Sequence, residues 1–160
     1  MNSIQVIPIQ DNHTDWIRKQ IQQHWGGDMI ISRGEIYYPH QLPGFLAQIE
    51  NEICGLVTYH IEHNSCQIIS LNSLQSQMGI GSALINKIKQ FAQSQRIKRL
   101  WLITTNDNLN AMRFYQKRGF QFAALHKNSV EESRKLKPGI PLYSDDGIPI
   151  RDEIEMEMIL

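Results

Sequence analysis

The residues of this chain best suited to chemistry lie at one junction. Leu71-Asn72-Ser73-Leu74 runs through Gln75-Ser76-Gln77-Met78 into Gly79-Ile80-Gly81-Ser82, and a helical period follows at once. Glycine lets a backbone turn tightly and approach a ligand closely. The N–H groups of a first helical turn lack partners within the helix and have the positive end of its dipole behind them. A strand–Gly-x-Gly–helix junction therefore suits a phosphate or pyrophosphate. A dinucleotide fold asks for a third glycine in an early βαβ unit. Here that position is Leu84, and three antiparallel-looking strands come first. Tight packing of helix on strand is the competing account of the same glycines.

Other reactive side chains are less suggestive. Cys54 and Cys66 lie in apolar, strand-like stretches without Cys-x-x-Cys spacing, and read as reduced core residues of an intracellular protein. Neither is placed like an activated nucleophile. The six histidines show no metal-ligand spacing. His60 and His63 fall at a strand end and turn, where positions three apart face opposite sides. No metal is expected.

The elements that must position the junction follow from hydrophobic period. Residues 4–9 read as a strand, and residues 15–25 as an amphipathic helix carrying Trp16, Ile17, Ile21 and Trp25, stopped by Gly26-Gly27. Residues 29–43 have no clean period and read mostly as loop, with room for a short helix or strand. Residues 45–49, 53–61 and 66–74 form an antiparallel meander. The period then becomes helical over residues 81–92, with Leu84, Ile85, Ile88, Phe91 and Ala92 on one face. A strand at 99–105, a helix at 108–117, strands at 120–125 and 153–160, and a polar segment at 127–152 that starts helix-like complete the chain. The expectation is one α/β (α+β) domain over residues 1–160 with a mixed, mostly antiparallel sheet flanked by helices.

Composition bounds the partners. At 160 residues and 41% hydrophobic content, one core is affordable and two are not. The 16 basic and 16 acidic residues create no global field toward nucleic acid or an anionic membrane. No apolar run nears the ~20 residues of a membrane span. Residues 1–6 lack the basic and apolar regions of a secretory signal. The expectation is a cytoplasmic protein.

A second motif sharpens the first. Asn108-Leu109-Asn110-Ala111-Met112-Arg113-Phe114-Tyr115-Gln116-Lys117-Arg118-Gly119-Phe120 follows one strand after the glycine loop. This resembles the GNAT superfamily of N-acetyltransferases, whose Asn-x-x-Ala-x-x-x-Tyr-x-x-x-Gly-Phe pattern Asn108, Ala111, Tyr115, Gly119 and Phe120 match in register. The likeness covers about residues 71–120. The segment from Ser133 to Glu153 looks like an uncharacterised subgroup and names no substrate.

The resemblance implies acetyl-CoA as co-substrate, held by a splayed strand pair, and transfer to a small-molecule or peptide amine. It implies that the backbones of Ile69 and Leu71 pair with the pantetheine arm, the Leu71 N–H also donating to the thioester carbonyl. It places the pyrophosphate on Gln77, Met78, Gly79, Ile80, Gly81 and Ser82. The family usually has Gln or Arg where this chain has Ser76, which removes one side-chain contact. Tyr115 matches the tyrosine often set near the CoA sulfur, where a phenol can protonate the departing thiolate; packing between helix and sheet is its other reading. Asn108 suits a cofactor contact, a helix cap, or both.

The acceptor side is less legible. The family's pocket lies between the loops at 25–43 and 127–152, where Arg33, Tyr37, Tyr38, Arg134 and Asp145 are candidates. The two arginines would suit a carboxylate or phosphate on the acceptor. The strand at 66–74 has no acid, and Glu50, His60, Glu62, Asp145 and Asp152 all read more readily as surface groups than as a general base. The alternative to an enzyme is a non-catalytic acyl-CoA sensor. Dimerisation, common in the family, is left open.

Overall fold

The computed structural model describes residues 3–74 and 79–160. Ser76, Gln77 and Met78 lie outside the described residues. Seven strands form the main sheet: β1 (Gln5–Pro8), β4 (Gly44–Ile49), β5 (Glu52–Glu62), β6 (Ser65–Ser73), β7 (Arg99–Thr105), β8 (Gln121–His126) and β9 (Glu153–Ile159). Their order is β1-β4-β5-β6-β7-β9-β8. Every neighbouring pair is antiparallel except β6 and β7.

Helices cover both faces because the strands alternate. On one face Val57, Cys66, Ile68, Leu100, Leu102 and Met156 form a core with α2 (Ile80–Ser94) and α3 (Leu109–Lys117). On the other, Leu46, Leu56 and Ile69 pack on Ile17 and Ile21 of α1 (Thr14–Trp25). Fully burying an aliphatic side chain contributes about 1.5–3 kcal/mol, so Ile17 and Ile21, both fully buried, fix α1 to that face. A left-handed Gly26 ends α1 as its sequence predicts. α4 (Ser129–Leu136) leads into the irregular segment before β9.

The stretch expected to be mostly loop is more ordered than its pattern suggested. It holds a hairpin of β2 (Ile30–Ser32) and β3 (Glu35–Tyr37), then a single 3₁₀ turn at Pro39–Gln41. The hairpin turns on Arg33-Gly34, with φ of 51° and 78°. Both central residues are left-handed, as a two-residue turn matching strand twist requires. An arginine in the first of these positions conceals the signal.

Candidate active site

The parallel pair β6–β7 creates the site by stopping early. Its register runs only from Ser65↔Arg99 to Ile68↔Leu102. Beyond that, β6 stays paired with β5, and β7 with β9, while the two part from each other. The parting coincides with a bulge: Thr58 faces Ser70 and Tyr59 faces Ile68, leaving Ile69 as the extra residue. The bulge puts Ile69 and Ser70 on one face, where Ser70 shares a 2.6 Å hydroxyl bond with Thr58. Leu71 packs on the other face.

Past the bulge the ladder shows where backbone groups point. The Leu74 N–H bonds the Cys54 carbonyl on β5 at 2.9 Å. Antiparallel partners alternate, so the Leu71 N–H turns away from β5, toward the gap.

A cavity of about 590 Å³ runs through the gap. On the α3 face Asn108, Ala111 and Tyr115 line it; on the α1 face it reaches Trp25, Ile30, Lys137, Pro141 and Glu153. Ile69, Leu71, Thr104 and Thr105 line the passage between them.

On the α3 side Asn108 and Tyr115 line the cavity, whereas Gly79, Ile80, Gly81 and Ser82 are not among its lining residues. Gly79 caps α2 with φ 77°, a left-handed turn that leaves the N–H groups of Ile80, Gly81 and Ser82 without intrahelical acceptors. A Cβ on Gly79 would meet nothing within 4 Å, so conformation is what requires glycine there. Gly81 is glycine for another reason: a Cβ would come within 2.8 Å of the Phe114 ring on α3.

Arg118 was absent from the expected set. Its guanidinium lies 3.6 Å over the Phe114 ring, and Nε donates to Ser82 Oγ at 2.9 Å. It makes no ion pair with a described carboxylate, so a cation stands unneutralised at the first turn of α2.

Asn108 caps α3, its Oδ1 accepting the Ala111 N–H at 3.1 Å, and also borders the cavity. Tyr115 is 8% exposed, and its ring is held edge-on by Phe114 and Phe120. Burial pushes its phenol pKa up, so the hydroxyl keeps its proton across the physiological range. Cys66 is buried too, its thiol pushed up to about 12. Burial also raises Cys54, and neither cysteine lines the cavity.

The acceptor-side expectations fare differently. None of Arg33, Tyr37, Tyr38, Arg134 and Asp145 lines the cavity, although the two loops proposed to wall it do. Arg134 is a structural tie. Its guanidinium donates to the carbonyls of Ile140, Pro141 and Ile150 at 3.3, 2.7 and 2.6 Å, and to Glu131 at 2.7 Å. Arg33 is exposed and contributes a backbone N–H at the hairpin turn, Tyr37 sits beside His60, and Tyr38 and Asp145 are exposed. Of the acids and histidines weighed as bases, His60 and Glu62 border a separate cleft, Glu50 is exposed, and Asp152 Oδ1 accepts the Asn128 N–H.

Among the described residues the cavity's one lining carboxylate is Glu153, 3% exposed at the start of β9. Its Oε2 accepts the Arg33 N–H at 3.1 Å, and its Oε1 is buried with no partner. In sequence it is the first of three glutamates that alternate with Ile154, Met156 and Met158. The hairpin that covers it was the element least legible there. Lys137, also in the wall, donates to the carbonyls of Trp25 and Met29 at 2.7 and 2.8 Å, joining the two loops. Burial pulls its pKa down, and Asp28 partly offsets this.

A mixed sheet opened between one parallel pair, with a glycine-capped helix beside the opening, is the fold this chain shares with solved GNAT family acetyltransferases. The chain belongs to the acetyltransferase (GNAT) family, whose model matches residues 11–120. It is 44% identical to the uncharacterised protein YdhI of Bacillus subtilis over 157 residues, covering 97% of this chain and 98% of that one. It is 43% identical to the uncharacterised YxbD of the same organism over 150 residues, covering 93% and 94%. In fold it resembles a GNAT family acetyltransferase from Elizabethkingia anophelis with acetyl-CoA bound, with TM-score 0.69 and 21% identity over 98% of each chain. Among the described residues no helix is long and apolar enough to cross a membrane, and no cluster of His, Cys, Asp and Glu could hold a metal.

Proposed function

We propose that this chain is an N-acetyltransferase of the cytoplasm, a single catalytic domain that moves acetyl from acetyl-CoA to a primary amine by direct attack in a ternary complex. The observation that carries the reading is the through-sheet cavity, with the Leu71 N–H at its waist and Tyr115 on one side. The pantetheine arm would lie along Ile69 and Leu71, and the pyrophosphate on the first turn of α2. Arg118 supplies a cation there that the Ser76 position does not. Asn108 borders the arm's path while capping α3.

In this reading each group has a task. The amine's C–N bond forms as the C–S bond of the thioester breaks, and net one proton passes from nitrogen to sulfur. The Leu71 N–H stabilises charge growing on the carbonyl oxygen, which a fixed donor in a dry site does well. The Tyr115 hydroxyl, kept protonated by burial, delivers a proton to the leaving sulfur. With both thiols held protonated and away from the cavity, no acyl-enzyme is needed.

Calorimetric titration with acetyl-CoA and CoA, beside a thiol-release assay over primary amines, tests the reading. Binding of both ligands with amine-dependent thiol release is expected. Binding without release would favour a sensor, and absence of binding would refute the cofactor assignment.

A further inference from the structure

We infer that the acceptor is a compact, largely apolar primary amine with no anionic group, and that Glu153 Oε1 receives its nitrogen. This rests on the acetyltransferase reading above and adds the identity of the acceptor's chemistry.

The first argument is Glu153 itself. A buried carboxylate oxygen without a hydrogen-bond donor is costly, yet Oε1 is in that state while Oε2 is anchored by the hairpin turn. The anchored oxygen fixes the carboxylate plane and leaves its twin for a donor from the cavity. An amine N–H supplies that donor. As the C–N bond forms, the carboxylate takes the proton that nitrogen sheds and the amide leaves neutral; once the products depart, Glu153 gives its proton up to solvent and Tyr115 regains one, restoring both groups.

The second argument is what surrounds it. The α1-side walls are largely apolar and aromatic, with Trp25, Ile30, Ile31, Ile140, Pro141 and Ile150, and with His24 and Lys137 as polar members. The whole cavity, about 590 Å³, falls in the small-molecule range of roughly 300–1,000 Å³ and must also hold the end of the cofactor.

The third is that no arginine lines the cavity among the described residues. Both arginines that could have read a carboxylate lie outside the cavity, Arg134 with its guanidinium committed to four acceptors. Lys137 and His24 do border it, and two of the three Lys137 Nζ–H donors go to the carbonyls of Trp25 and Met29. The lysine's charge faces the negative end of the α1 dipole. An acceptor carboxylate beside its own amine would meet Glu153 instead.

The test uses matched pairs that differ by one carboxylate: phenethylamine against phenylalanine, and isoamylamine against leucine. Wild-type kcat/KM should favour each amine by roughly a hundredfold, as a like charge at a desolvated site demands. Glu153→Gln should lower kcat/KM for phenethylamine by about a hundredfold or more, with acetyl-CoA affinity by calorimetry unchanged. That affinity also reports folding of the variant, and the wild-type comparison needs no variant. Equal or reversed preference within the pairs would overturn the inference and point to Lys137 as a carboxylate receptor. So would acetyl-CoA binding with no transfer to either amine. If wild-type protein failed to bind acetyl-CoA, the acetyltransferase reading beneath would fall instead.

Discussion

The two glycines of the α2 entry should respond to alanine for different reasons, and the difference can be measured. At Gly81 an added Cβ would lie 2.8 Å from both Cε1 and Cζ of Phe114, against about 3.5–4.0 Å for relaxed carbon pairs. Phe114 has little room to retreat. Arg118 lies 3.6 Å over one face, and Tyr115 meets it edge-on at 5.1 Å. Overpacking of this kind costs about 1–3 kcal/mol, while alanine in a helix regains up to about 1 kcal/mol over glycine. The expected net loss for Gly81→Ala is therefore about 1–2 kcal/mol in urea melts. Phe114→Leu removes the two clashing atoms, so the double variant should recover stability with a coupling of about 1 kcal/mol or more. It also removes the platform under Arg118, so acetyl-CoA affinity should drop even as stability returns. Gly79→Ala has no clash to relieve and should lose about 1 kcal/mol to left-handed strain, which Phe114→Leu would leave untouched. A Gly81→Ala protein as stable as wild type, or a double variant no better than the single, would refute the packing argument.

Other outcomes follow from the same geometry. Tyr115→Phe should lower kcat about ten- to a hundredfold with acetyl-CoA affinity unchanged; unaltered kcat would remove the proton-donor role. Arg134→Ala strands three carbonyls and should cost about 3 kcal/mol in thermal melts, with Lys a poor replacement because it lacks the planar fork; a stable variant with a raised acceptor KM would return Arg134 to the acceptor. Burial pulls the Glu155 carboxyl up, but hydrogen bonds with His126 and Arg99 and the charge of both outweigh it and hold it low. A depressed carboxylate gives stability that is complete above its unfolded value, about 4.3, and lost as pH falls through the folded one. Wild-type Tm should therefore decline on acidification below about pH 4.3 more steeply than that of Glu155→Gln.

Much of the cofactor half could be read from local pattern. The helical stripe of α2 and the Asn108-to-Phe120 spacing are one-dimensional signals, and the structure brings Ile69, Leu71, Asn108 and Tyr115 to one cavity. The acceptor half could not be read this way. Alternation along β9 places Glu153, Glu155 and Glu157 on one face without saying what covers it. The cover over Glu153 is a hairpin whose turn begins with Arg33 in a conformation arginine seldom adopts. Arg134 misled for the opposite reason: its partners are carbonyls of residues 140, 141 and 150, and backbone acceptors leave no mark on residue type. Arg118 was overlooked because its neighbour Ser82 is 36 positions away.

The short register between β6 and β7 has a thermodynamic consequence as well. Four residue pairs are all that join a four-stranded half-sheet to a three-stranded one along this seam. Beyond it, among the described residues, β6 from Ile69 to Leu71 has no register partner on β7. A pantetheine arm lying there would finish the ladder, binding the folded chain and not the unfolded one. At a hundred times its dissociation constant such a ligand adds about 2.7 kcal/mol to stability. If the proposed co-substrate binds there, it would also be a removable eighth strand, and the supply of acetyl-CoA would tune how tightly the two halves of the sheet hold together.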